Sequence, residues 1–135
     1  MLHDESVERL IAAARDVRER AYAPYSNFPV GAAVLCADGR VFAGCNIENA
    51  SFGLTICAER VALFTAVAAG CPRIEAIAIA GPGAGPLSPC GACRQVMVEL
   101  SPDAEVLMVG ETEVCSRTVR QLMPEAFAAE ELGRT

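Results

Sequence analysis

With 135 residues, 53% of them hydrophobic, the chain has the size of one domain that buries roughly two thirds of its unfolded surface. Its 11 basic and 17 acidic residues give a net charge of −6, and the scattered Arg residues have no interleaved aromatics, which excludes a phosphate-binding stripe and hence a polynucleotide partner. Apolar runs stop short of the ~18 residues that span a bilayer, and the charged N-terminal stretch lacks a signal-peptide core, so a soluble cytoplasmic protein without a membrane partner is expected.

From Ser6 onward Val7, Leu10, Ile11, Ala14, Val17 and Ala21 recur at helical spacing until Pro24, which predicts an amphipathic first helix. Val30 to Cys36 and Val41 to Cys45 are β-prone runs joined through Ala37-Asp38-Gly39-Arg40, and Asp-Gly favours a hairpin between antiparallel strands. A loop through Asn46 to Thr55 leads into a second helix near Ala58, closed by Gly70 with Pro72 just beyond. Ile74 to Ala80 is almost wholly apolar and suits a central strand covered on both faces. The loop from Gly81 to Pro86 lacks the Lys-Ser/Thr of a phosphate loop and serves to position the Pro89 segment. A third helix from about Gly91 to Leu100, a strand Glu105 to Val109 and another apolar run near Val114 follow. Strands interleaved with helices predict one α/β domain over 1–135, with a mixed sheet between helix layers. Counted with Gly and without Tyr, the apolar share is roughly 60%, above the ~45–50% usual for one domain, and the excess points to subunit interfaces.

Seven cysteines form an odd set, which argues against a disulfide framework and for reduced thiols, some of them binding metal. His3, the single histidine, lies near the terminus, so Ser-His-Asp and Cys-His catalysis lack a base. Cys90 and Cys93 stand three apart at a helix start, where one ion can be gripped; by spacing alone a redox C-x-x-C is equally served. Cys57-Ala58-Glu59 adds a third thiol at another helix start with a carboxylate two residues on. C-x-E with P-C-x-x-C resembles the signature of zinc deaminases, with Cys in the His position. Three thiolates leave the fourth tetrahedral position of zinc open for water or substrate, which implies catalysis. Three thiolates also leave a formal charge of −1 on the zinc centre. The helix N-termini and Arg60, placed to donate to a ligand sulfur, are expected to offset it. Two residues on a regular helix are ~200° apart, so Cys57 and Glu59 converge only if Cys57 precedes the helical geometry. Cys36, Cys45, Cys71 and Cys115 have no comparable spacing and read as small buried apolar residues.

The stretches YSNFPVGAA (Tyr25 to Ala33), GCNIENAS (Gly44 to Ser51), CAERVAL (Cys57 to Leu63) and SPCGACRQV (Ser88 to Val96) closely resemble the small homotetrameric cytidine deaminases, over nearly the whole chain. The resemblance implies a three-layer α/β/α fold with a five-stranded mixed sheet, one zinc ion per subunit, and hydrolysis of cytidine and deoxycytidine to uridine and deoxyuridine with release of ammonia. It implies Cys57, Cys90 and Cys93 as ligands, Glu59 as proton shuttle, Asn46 and Glu48 as ribose contacts, Phe28 as the ring on the pyrimidine and the Ala58 N–H as a contact to the base. By the same resemblance neighbouring subunits complete each site, with Phe127 closing over the base. Glu125 stands where many relatives have Gly, and Phe52 where several have Tyr. Three alternatives stay open at this level: a related deaminase of a modified cytosine nucleoside such as blasticidin S, a non-catalytic zinc module closed by Cys36 or Cys45, and a thiol oxidoreductase using Cys90 and Cys93.

Overall fold

The computed structural model describes residues 2–133. Five strands, β1 (Gly31–Cys36), β2 (Val41–Cys45), β3 (Ile74–Ala80), β4 (Glu105–Val109) and β5 (Val114–Thr118), form one sheet in the order β2-β1-β3-β4-β5. β1 runs antiparallel to β2 and β3, β4 antiparallel to β5, and the central β3–β4 pair is parallel. The parallel pair needs a crossover, and helix α3 (Gly91–Leu100) supplies it, following α1 (Asp4–Val17) and α2 (Ala58–Ala68). The Asp-Gly hairpin forms as expected, closed by the Cys36 N–H on the Arg40 carbonyl at 2.9 Å.

Strand periodicity separates the two faces of β3. Ile77 and Ile79 pack with Val34, Val106, Leu63 and Met97 on the side of α2 and α3, whereas Ala76, Ala78 and Ala80 meet Leu10, Ala14, Leu35 and Leu107 on the side of α1. Both faces are therefore dry, which is why the run reads as continuously apolar, and each fully buried Leu or Ile contributes roughly 1.5–3 kcal/mol relative to exposure. The result is the expected three-layer α/β/α arrangement. Two glycines set the layer spacing. A Cβ on Gly31 would lie 2.0 Å from the Ala14 carbonyl oxygen of α1, and one on Gly44 would lie 2.5 Å from the Ala62 nitrogen of α2, so both helices rest directly on strand backbone.

The first helix is shorter than its apolar spacing suggests. It ends at Val17 and passes through a 3-10 turn over Arg18–Arg20, leaving Ala21 extended. Tertiary pairing explains the early stop: Tyr22 gives its N–H to the Asn46 carbonyl at 2.9 Å and receives the Glu48 N–H at 2.8 Å. Strand β1 begins at Gly31, one residue after Val30. Beyond the expected elements a short helix, α4 (Val119–Leu122), follows β5; Thr118 and Gln121 form a reciprocal capping box at its start. The last strand, β5, is largely exposed at the sheet edge.

The expectation that all thiols are reduced is corrected. Cys36 and Cys71 form a disulfide across 35 residues of sequence, with Cα atoms 5.8 Å apart. Topology brings them together: Cys36 ends β1, and Cys71 sits in the turn between α2 and β3. Cys45 and Cys115 are free but half-buried, not core residues. Among the described residues no helix is long and apolar enough to cross a membrane.

Candidate active site

The site is assembled where two helix starts meet one irregular loop. Ile47 and Ile56 exchange backbone hydrogen bonds of 3.0 Å each, and Tyr22 flanks Ile47 on its other side. The segment 46–48 is thereby pinned beside the residue that precedes Cys57.

Cys57 is the N-cap of α2, with φ −70° and ψ 152°, and Cys90 is the N-cap of α3, with φ −71° and ψ 168°. Both are extended, which meets the geometric demand that Cys57 precede the helical turn. Their sulfurs lie 3.8 Å apart, and the three sulfurs of Cys57, Cys90 and Cys93 all fall within 4.8 Å of one another. A tetrahedral zinc at ~2.3 Å from each sulfur requires S···S edges of about 3.8 Å, so the cluster fits that ion with little rearrangement. No fourth thiol belongs to the group among the described residues, and Cys36 is committed to its disulfide, which disfavours a closed four-sulfur site.

Arg60 Nη2 donates to Cys57 Sγ at 3.4 Å, the contact expected from sequence, while its buried Nε has no hydrogen-bond partner. The Cys57 thiol is pulled down to about 5, chiefly by the Cys93 thiol beside it and further by Arg60 and Cys90. Cys93 moves the opposite way, pushed far up by the Cys57 thiolate, by burial and by Glu59. One thiolate is thus readily held, and further ionisation calls for a cation in the middle, which is the chemistry of a metal-binding donor set.

Glu59 is only 5% exposed, and burial, followed by the negative charge developing on Cys57, raises its carboxyl above the ordinary range. Together with Cys57, Ala58 and Cys90 it lines a cleft of about 350 Å³ whose other walls include Phe28, Val30, Asn46, Glu48, Leu87 and Ser88. Ala58 occupies the first position of α2, where the N–H has no intrahelical acceptor and is available to a ligand.

Asn46 and Glu48 both face the cleft, and both also hold its wall. The Asn46 amide receives the Val30 N–H and donates to the Phe28 carbonyl, each at 2.9 Å, which fixes the segment bearing Phe28. Glu48 accepts from the backbone of Tyr25 at 2.9 Å and of Ser26 at 3.1 Å, and from the Ser26 hydroxyl. These bonds, led by the Ser26 hydroxyl, hold its carboxyl below the ordinary value of 4.5. Each polar group retains acceptor or donor capacity for a ligand. Phe127 is not brought to this cleft: it is 60% exposed and lies outside the lining residues, its carbonyl accepting from Gln95 Nε2 at 2.7 Å.

Residues 4–109 match the family model described as the cytidine and deoxycytidylate deaminase zinc-binding region. The chain belongs to this deaminase family. Relatives named cytidine deaminase include one from Sporosarcina psychrophila, 48% identical over 131 residues and covering 94% of this chain and 95% of its own. Another, from Halalkalibacterium halodurans, is 50% identical over 128 residues, with 93% and 97% covered. A crystal structure of cytidine deaminase from Burkholderia pseudomallei is similar at 53% identity with a TM-score of 0.86, covering 94% of this chain and 100% of the other.

As a member of the deaminase family the chain binds zinc, and the cluster of Cys57, Cys90 and Cys93 is the set among the described residues that fits the ion. Three residues at or next to this cleft are not singled out by the sequence. Ser26 and Thr55 line the cleft, and Arg94 donates hydrogen bonds to Ser88 and Pro89 in the segment before Cys90. The adjacency of Arg94 to Cys93 was the one signal that could have drawn attention to it.

Proposed function

We propose that the chain hydrolyses cytidine and deoxycytidine to uridine and deoxyuridine, releasing ammonia, and serves pyrimidine salvage in the cytoplasm. The observation that supports this reading is the convergence of three sulfurs, with Cys57, Cys90 and the buried Glu59, whose carboxyl is raised, all lining one cleft of about 350 Å³. When bound to Cys57, Cys90 and Cys93, zinc supplies Lewis acidity that makes water a nucleophile near neutral pH.

Glu59 takes a proton from the attacking water, whose oxygen adds to C4 of the cytosine ring. Glu59 delivers this proton to N3, takes the second from the added hydroxyl and passes it to the amino group, so that the C4–N bond breaks, ammonia leaves and the C4 carbonyl of uracil forms. Its elevated proton affinity suits both halves of that exchange. The Ala58 N–H and the backbone near Ser88 hold the ring edge, and Phe28 packs against the pyrimidine face. Asn46 and Glu48 orient the ribose hydroxyls, and the ionised Glu48 opposes a nearby phosphate, which favours nucleosides over nucleotides. Arg60 keeps a positive charge against Cys57.

The active form in this reading is a homotetramer in which Phe127 closes over the base in a neighbouring subunit. Its exposure outside the cleft of its own chain, with Phe52 at 74% and Leu54 at 64%, supports an assembled state. One assay tests the activity: zinc-loaded protein is incubated with cytidine, deoxycytidine, cytosine, cytidine monophosphate and adenosine, and ammonia release is followed. Release confined to the two nucleosides of cytosine is expected, and failure with both of them overturns the reading.

A further inference from the structure

Arg94 makes three side-chain hydrogen bonds that the proposed chemistry does not use. Nη2 donates to Ser88 Oγ at 2.6 Å, Nε to the Pro89 carbonyl at 2.8 Å and Nη1 to the Leu122 carbonyl at 2.7 Å. The first two acceptors belong to the segment that ends in Cys90, and Ser88 and Cys90 both line the cleft.

That segment is otherwise tied by Leu87, which packs against the core on the side of α2 and α3, and by few backbone contacts. Upstream, the carbonyls of Gly83 and Ala84 accept backbone N–H groups from Glu111 and Thr112. Between Gly85 and Pro89, among the described residues, no backbone–backbone hydrogen bond joins the loop to the rest of the fold. Proline at 86 and 89 removes two of the donors that could have made one. Cys57 and Cys93 are held differently: one opens α2, whose Ala62 rests on the backbone of β2, and the other is fully buried in α3. Cys90 likewise caps its helix, its carbonyl accepting the Arg94 N–H at 3.0 Å, but it is exposed and follows directly on residues 88–89.

We propose that Arg94 is a positioning residue that sets the Ser88–Cys90 wall of the cleft, and with it the Cys90 sulfur, by bracing this wall against α4. A planar guanidinium can serve three acceptors in fixed directions, which the compact ammonium of Lys cannot reproduce. Losing the brace loosens one metal ligand of three and one edge of the base pocket while leaving both core clusters intact. The kinetic part of this inference rests on the deaminase reading; the metal part does not.

The test compares the full-length zinc-loaded parent with Arg94→Gln, Arg94→Lys and Arg120→Gln, the last breaking only the exposed 2.9 Å pair between Arg120 of α4 and Asp103. Three quantities are read: zinc release to a chromogenic chelator, the thiolate-to-cobalt absorption band of the Co2+-substituted proteins, and KM and kcat for cytidine. Arg94→Gln is expected to release zinc at least about tenfold faster, alter the cobalt band and raise KM about tenfold, with a smaller change in kcat. Arg94→Lys should follow Arg94→Gln, and Arg120→Gln should follow the parent. Parent-like zinc release and KM in Arg94→Gln, even with a lowered Tm, overturn the proposal. If Arg94→Gln does not fold, the same criteria apply to Arg94→Lys. A parent that holds zinc but deaminates no cytosine nucleoside sinks the deaminase reading, while the zinc-release and cobalt comparisons still decide the role of Arg94.

Discussion

The sulfurs of Cys57 and Cys90 meet at 3.8 Å although 33 residues of sequence separate them, and each residue is the N-cap of its own helix. Two sets of free first-turn N–H groups and two positive helix ends therefore converge on one anionic cluster. Convergence of this kind turns a pair of ordinary helix starts into a donor set that fits a metal, with the buried Glu59 carboxyl lining the same cleft.

Glu59 lies two residues beyond Cys57 and contributes no sulfur, so its loss separates chemistry from metal binding. Glu59→Gln is expected to keep its zinc content while turnover falls by roughly 10²–10⁴-fold, the usual worth of a positioned acid/base. Metal analysis beside steady-state kinetics checks it, and near-parent turnover would remove Glu59 from the mechanism.

Arg60 supplies the charged donor to Cys57 at 3.4 Å. In Arg60→Gln that sulfur loses its positive neighbour, and zinc affinity should drop by about 10–100-fold. Competition against a chelator of known affinity measures the change, and unchanged affinity would reduce Arg60 to a packing residue.

Glu48 has a carboxyl held below its ordinary value of 4.5 by Ser26 and the neighbouring backbone. A depressed folded value means that its contribution is complete above the unfolded value and is lost only as pH falls through the lower, folded one. The loop bearing Tyr25 and Ser26 should therefore stay clamped at pH 5 and loosen in more acid solution. Amide shifts of Tyr25 and Ser26 followed by NMR should show no transition above pH 4.5, and a midpoint above that value would contradict the clamp.

Glu125 adopts φ 53°, a left-handed conformation that glycine takes without strain and most side chains do not. Glu125→Gly relieves about 1–2 kcal/mol of strain and loses about 0.5–1 kcal/mol to unfolded-state entropy, so a small net stabilisation is expected. Glu125→Val, β-branched at the same position, should be destabilised by about 1–2 kcal/mol relative to Glu125→Gly. Urea midpoints of the two variants decide the matter, and an equal pair would show that the tail is free to leave this conformation.

Much of the fold was legible because its signals are local. The hydrophobic run of β3, the Asp-Gly hairpin and the helix from Gly91 to Leu100 are written in spacing and turn chemistry, and they appear within a residue or two of where those rules place them. Cys90 and Cys93 share a helix start, but spacing alone serves a redox pair equally well; what singles them out together with Cys57 and Glu59 is the resemblance to the zinc-deaminase signature.

What the sequence by itself determined is the main strands and helices, because each depends on neighbours a few residues apart, and, through a motif resemblance, the candidate donor residues. Only the tertiary structure decided that Cys36 and Cys71 meet, that the first helix stops at Val17 so Tyr22 can pair with the 46–48 loop, and that Arg94 braces the Cys90 approach. Each of these joins segments distant in the chain. Their geometry is set by how the layers pack, as where α1 rests on Gly31 and α2 on Gly44, and no local pattern encodes that.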